Sequence, residues 1–163
     1  MGEIQIIATG GTLDKRYNEL DGNLVFKDTH LNEMLAVARC TTSIELNNVM
    51  LKDSLDMDEK DREKILNACL ISKKDKIIIT HGTDTMVETA KLLGENIKNK
   101  TIVLTGAMIP YSFGGSDSLF NMGCAIASAQ TLPNGIYIVM NGKIFSWDNV
   151  MKDKKAGEFK ALR

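Results

Sequence analysis

Several things are scarce in this 163-residue sequence, and each scarcity closes off a class of protein. Its three cysteines, Cys40, Cys69 and Cys124, are odd in number, widely spaced and free of any C-x-x-C pair. That argues against a disulfide framework and against a zinc ribbon. Two histidines cannot build a zinc site alone, and neither stands beside a ligand cluster, so no metal or cofactor is expected. No apolar run approaches the roughly 18–20 residues of a membrane helix. The opening MGEIQIIATGG shows no basic segment, long apolar stretch and cleavage site in succession, and reads directly as a strand. Charge of one sign is missing too. Twenty Lys and Arg oppose twenty-one Asp and Glu, a balance that disfavours binding to nucleic-acid phosphates or an anionic membrane. Proline occurs twice, at Pro110 and Pro133, both in expected loops. One soluble, cytoplasmic domain is the expectation.

What is present is an alternation of apolar runs with helical patterns, the signature of an α/β sheet. Residues 4–8 (IQIIA) read as a buried strand ending in Thr9-Gly10-Gly11-Thr12. Asp21-Gly22 between short flanks predicts a hairpin with a type I′ turn that overhangs the end of that strand. Apolar residues at 31, 34, 35 and 38 predict a helix over 31–40. A second strand follows at 45–51, then an acidic start near Asp56 and a helix to about 72. Residues 76–80 (KIIIT) are the plainest strand. Thr85-Met86-Val87-Glu88 has the form of a capping box and opens a helix to about 98. Strand 101–105, a Gly- and Ser-rich loop over 106–117, helix 118–130 and strand 135–140 complete the alternation. Asn141-Gly142 predicts a second type I′ hairpin before 143–147, and a lysine-rich end closes the chain. With right-handed crossovers, this order predicts a three-layer α/β/α sandwich with a mostly parallel sheet and two β-hairpins.

In open parallel sheets, ligands sit beyond the carboxyl ends of the strands at a topological switch point. Three loops rich in hydroxyls and glycine leave such ends here: 9–12, 81–85 and 106–117. The first is neither a P-loop nor a dinucleotide fingerprint. Taken alone it also reads as a plain strand-to-loop turn. In the second, Thr83 and Asp84 precede a helix whose free amides favour negative charge. Taken alone, Asp84 or Thr85 also reads as a simple helix cap.

Together these motifs carry a resemblance. Thr9-Gly10-Gly11-Thr12 after the first strand, and His81-Gly82-Thr83-Asp84-Thr85-Met86 after a buried one, resemble the bacterial-type L-asparaginase/glutaminase family. Thr105-Gly106-Ala107-Met108, Asp117, Asn121, Val139-Met140-Asn141 and Lys152 continue the likeness in order. It spans essentially the whole chain but only the family's N-terminal domain. It implies a flavodoxin-like or Rossmann-like domain over 1–163, with the family's smaller C-terminal domain absent, and no cofactor. It implies hydrolysis of a side-chain amide, with Thr12 as nucleophile and an acyl-enzyme intermediate. Thr83, Asp84 and Lys152 would form a hydrogen-bonded triad, and Asp84 would also receive the substrate's α-ammonium. Tyr17 would be a lid tyrosine, Ser54 would meet the α-carboxylate, and Gly11 and Gly82 would let the substrate approach the backbone. The triad fits elementary chemistry as a proton relay. A threonine hydroxyl is a poor nucleophile until a base takes its proton. Lysine accepts one only when neutral, and a neighbouring carboxylate favours its charged form, so which group holds the proton stays open. Glycine-loop amides would supply an oxyanion hole.

Each residue also has a plainer reading. Lys152-Asp153-Lys154-Lys155 resembles a solvated charge run, His81 a histidine bonded within its own loop, and Cys69 and Cys124 small core residues. The pattern breaks at Leu55, where the family carries glutamine, at Ser146-Trp147-Asp148 and at Ile109-Pro110. Two functions stand side by side: a threonine amidohydrolase, and a non-catalytic small-molecule binding or regulatory domain. A homodimer or higher homo-oligomer is expected, because surface that faces the second domain in relatives would be uncovered.

Overall fold

The computed structural model describes residues 3–163. Strand β1 (Ile4–Gly10) is buried along its whole length, as its unbroken apolar run requires. It lies between β4 (Ile44–Lys52) and β5 (Lys76–Thr80), and the sheet continues through β6 (Thr101–Thr105), β7 (Gly135–Met140) and β8 (Lys143–Ser146). The order is β4-β1-β5-β6-β7-β8, parallel throughout except for β8. The five parallel strands, taken in chain order, run 2-1-3-4-5, the flavodoxin-like arrangement with its switch point between β1 and β5.

Alternation along the strands divides the core between two faces. Ile77 and Ile79 pack with Ile65 and Cys69 of α2 (Glu59–Ile71) and with Ala90 and Leu93 of α3 (Met86–Asn96). Ile78 turns to the other face, toward Leu31 and Met34 of α1 (Leu31–Val37) and Met122 and Ala125 of α4 (Ser118–Thr131). Each fully buried aliphatic side chain contributes about 1.5–3 kcal/mol. The three-layer sandwich is therefore the expected one.

Four local expectations are corrected. The first hairpin forms from β2 (Arg16–Tyr17) and β3 (Leu24–Val25), but Asp21 does not take a positive φ. Tyr17 pairs with Leu24, leaving residues 18–23 as a longer loop, in which the Asp21 carboxylate accepts the amide of Asn23. The capping box predicted at Thr85 and Glu88 is absent: Thr85 makes no cap bond, and Glu88 pairs with Arg62 instead. A capping box forms on α2, between Asp58 and Asp61. Helix α1 stops at Val37 because Arg39 turns left-handed, at φ 52°. The lysine-rich end is a third hairpin, β9 (Met151–Asp153) against β10 (Glu158–Lys160). The second predicted turn is as expected, with Asn141 at φ 49° and Gly142 at φ 85°.

Candidate active site

The loops after β1 and β5 meet at the switch point because the residues between them are small. Thr9 Oγ1 donates to the Thr80 carbonyl at 2.6 Å, tying the two strand ends together. A register irregularity after Ala8 then lets the Gly11 amide reach the Lys52 carbonyl at 2.9 Å. Gly11 sits at φ 80°, and a Cβ there would collide with the backbone of Gly82. A Cβ on Gly82 would lie 2.6 Å from Ser54 Oγ. Only glycine permits this stack of three loops.

Thr12 opens a short 3-10 turn, Thr12–Asp14, and is half-buried. Its carbonyl accepts the Lys15 amide at 3.1 Å. Thr83 is buried and Asp84 half-exposed at the end of the neighbouring loop. Lys152 Nζ donates to Thr83 Oγ1 and to Asp84 Oδ1, both at 2.7 Å. Since the ammonium donates, the Thr83 hydroxyl keeps its own proton to give elsewhere. Asp84 therefore does not cap α3, and the run around Lys152 is not simply solvated. The third hairpin explains this: Lys152 pairs in register with Phe159, which is buried in the core. Asp153, on the opposite side of the strand, holds Lys160 at 2.6 Å and the amides of Lys155 and Ala156.

Ser54 is buried against the same loop, where its Oγ accepts the Thr85 amide at 3.2 Å and its carbonyl accepts Thr85 Oγ1 at 2.9 Å. Lys15 bridges back to Asp53 at 2.5 Å, a link that sequence reasoning missed. Tyr17 is exposed on β2 and bonds to none of Thr12, Thr83, Asp84 or Lys152; its hydroxyl lies beside Gly22. The structure thus packs Gly11, which precedes Thr12, on Gly82, sets Gly82 against Ser54 and joins Lys152 to Thr83 and Asp84, while Tyr17 makes no bond to any of them. Gly11 is also removed as an oxyanion donor, because its amide is engaged by Lys52. The amides of Thr12, Thr83 and Asp84 donate to no protein acceptor among the described residues.

His81 is fully buried, with Nδ1 2.7 Å from the Gly82 carbonyl and Nε2 2.7 Å from Thr89 Oγ1. A carbonyl only accepts, so Nδ1 carries the proton and the Thr89 hydroxyl donates to Nε2. Burial holds the imidazole down to about 4. The third loop is pinned by Asp117, whose carboxylate accepts the amides of Met108 and Ile109 and the side chains of Asn121 and Asn141. Burial alone would raise Asp117, but these donors outweigh it and hold the group below the usual carboxylate range. Cys69 lies in the core, where burial pushes its thiol up to about 12 and leaves it a packing residue.

The flavodoxin-like sheet thus carries, on the loops beyond its switch point, a lysine held to a hydroxyl and a carboxylate, with a second hydroxyl, Thr12, on the adjoining loop. The family model described as Asparaginase, N-terminal matches residues 3–162, and the chain belongs to that family. It is 29% identical over 160 residues to an L-asparaginase of Thermococcus kodakarensis, covering 95% of this chain and 49% of that protein. It is 32% identical over 152 residues to a glutamyl-tRNA(Gln) amidotransferase subunit of Methanococcus vannielii, covering 86% and 34% respectively. The solved structure of the thermostable L-asparaginase from Thermococcus kodakarensis superimposes with a TM-score of 0.86 at 28% identity, over 98% of this chain and 51% of that one. The chain spans about half the length of the asparaginases it matches. No helix among the described residues is long and apolar enough to cross a membrane.

Proposed function

We propose that this chain carries the catalytic face of a threonine amidohydrolase that cleaves a side-chain amide: L-asparagine to L-aspartate and ammonia, or a related small amide. The observation that carries this reading is the double contact of Lys152 with Thr83 and Asp84, on a loop packed directly against Gly11, the residue before Thr12. Thr12 Oγ adds to the amide carbon while its proton passes to the amide nitrogen, which leaves as ammonia. The resulting ester is opened by water: the Thr83 hydroxyl takes the water's proton as it passes its own to Thr12 Oγ, restoring the Thr12 hydroxyl, while Lys152 holds Thr83 and Asp84 in place. The unengaged amides of Thr12, Thr83 and Asp84 are suited to the oxyanion, a role in which one donor is worth about 2.7–4 kcal/mol of barrier. Asp84 keeps one carboxylate oxygen without a protein partner, free for an α-ammonium. Ser54 keeps its hydroxyl proton for an α-carboxylate. Tyr17 closes over Thr12 only if its hairpin moves. Likeness both to L-asparaginases and to an amidotransferase leaves the substrate a class, the primary side-chain amides.

Leu55 favours a second reading, a binding or regulatory domain of low turnover. It is 65% exposed next to Ser54 and offers no acceptor for an ammonium. Ammonia release from asparagine, glutamine and small aliphatic amides, with mass spectrometry for an acyl adduct on Thr12, separates the two. Folded protein with neither turnover nor adduct removes the hydrolase. Exposed Met108, Ile109, Phe113 and Phe120 support a homodimer, which sedimentation at micromolar concentration tests. Three free cysteines support a cytoplasmic setting.

A further inference from the structure

We infer that Asp14 is a positioning residue: it clamps the neck of the 15–28 segment and so fixes the turn bearing Thr12 to the hairpin that overhangs it. The chain leaves the site at Asp14 and returns fifteen residues later at Thr29, where one carboxylate oxygen closes the ring. Asp14 Oδ1 accepts Thr29 Oγ1 at 3.0 Å and the His30 amide at 2.8 Å. Thr29 Oγ1 in turn accepts the Leu31 amide, at the start of α1. On the other side, the Asp14 amide donates to the Gly11 carbonyl and the Lys15 amide to the Thr12 carbonyl. One residue therefore joins the 3-10 turn, through its backbone, to the returning stem at Thr29 and His30, through its side chain.

Between the stems the segment has almost nothing of its own. The β2–β3 ribbon is two residue pairs long, and Leu20 at its tip is 91% exposed. Among the described residues, no hydrogen bond or ion pair joins residues 16–28 to the rest of the domain. Other fastenings run through Lys15 at the neck: its ammonium pairs with Asp53 and lies over the Phe26 ring, 5.9 Å from the centroid, and its carbonyl accepts Ser112 Oγ. A two-stranded ribbon this short is not stable alone, so its position is set from its base.

The clamp is costly to hold, which argues that it serves more than stability. Asp14 is fully buried, yet its second oxygen has no hydrogen-bond partner among the described residues, nor do Arg16 Nε and the ring nitrogens of His30 nearby, of which Nδ1 only approaches exposed Glu33, at 4.0 Å. His30 rests instead against the Tyr111 ring, with centroids 5.5 Å apart. Unpaired buried polar atoms of this kind gather at sites shaped for function rather than for stability.

The experiment compares Asp14→Ala, Asp14→Asn and Thr29→Val with the unaltered chain by amide hydrogen exchange. In Asp14→Ala, exchange across 16–28 should rise about tenfold while β5, at 76–80, is unchanged. Thr29→Val, which removes one of two bonds, should fall between. Asp14→Asn keeps an oxygen that accepts both donors and should restore unaltered behaviour. In the ammonia assay, which alone rests on the hydrolase reading, Asp14→Ala should change kcat and KM together, as a displaced lid does, whereas mere loss of folded protein lowers kcat alone. Exchange within twofold of the unaltered chain, a rise shared by β5, or failure of asparagine to rescue overturns the clamp. Absence of turnover in the unaltered chain removes the hydrolase and leaves the exchange result to stand.

Discussion

Lys152 and Thr83 meet at 2.7 Å across 69 residues of sequence, and they meet because Phe159 is buried. Phe159 pairs with Lys152 across the third hairpin. Its burial anchors the hairpin to the core that also contains Met86 and Ile79, at the foot of the Thr83 loop. An ammonium in a lysine-rich tail is thereby held beside a hydroxyl and a carboxylate.

Lys152→Met keeps the length of the side chain and removes the donor. Turnover of the amide substrate should fall by about 10²–10⁴. Asp84 is more than one-third exposed, so the melting temperature should move little. Ammonia release and thermal unfolding on the same preparation check both halves. Thr12→Ala and Thr83→Ala should each abolish turnover with the fold intact, and only Thr83→Ala should still yield an acyl adduct.

Leu55→Gln restores a polar acceptor beside Ser54 at a position that is already exposed, so its structural cost is small. A missing partner to an ammonium is worth about 1–3 kcal/mol. The variant should lower KM for free L-asparagine by roughly tenfold while leaving KM for an uncharged aliphatic amide unchanged. Equal effects on both substrates would place the ammonium elsewhere.

Acid should destabilise the domain through His81. Its folded value is held near 4, whereas the unfolded imidazole titrates near 6.5. Above 6.5 both states are neutral and no penalty exists. Between 6.5 and 4 the unfolded chain binds the proton and the folded one does not, so stability falls by about 3 kcal/mol across that window and then levels off. His81→Gln should flatten this segment of a stability-against-pH curve measured by denaturant unfolding.

Gly94→Ala sets helix propensity against packing. Alanine favours a helix interior by about 1 kcal/mol, but a Cβ here would run into the Trp147 ring over which Lys98 lies. Overpacking of a ring costs about 1–3 kcal/mol, so the variant should be net destabilised. Trp147→Leu in the same background should recover part of the loss, as a double-mutant cycle in urea would register.

Much of the scaffold was legible because its signals are local. The strands at 76–80, 101–105 and 135–140 match the structure residue for residue, since each is a short apolar run bounded by polar loops. Asn141-Gly142 adopts the turn its chemistry demands. Asp21-Gly22 does not, because the Asp21 carboxylate takes the Asn23 amide and a longer loop competes with the tight turn. Thr85 fails to cap α3 for a similar reason: Ser54, distant in sequence, claims both its hydroxyl and its amide.

The sequence by itself determined the alternation of strands and helices and the motifs at the ends of the first and third parallel strands, because hydrophobic period and turn residues act over a few positions. Only the tertiary structure decided that Lys152 turns inward, that the Asp14 carboxylate meets Thr29, and that Tyr17 stays apart. Each depends on which faces of distant segments pack together, and hairpin register and core burial settle that jointly, with no local signature to announce it.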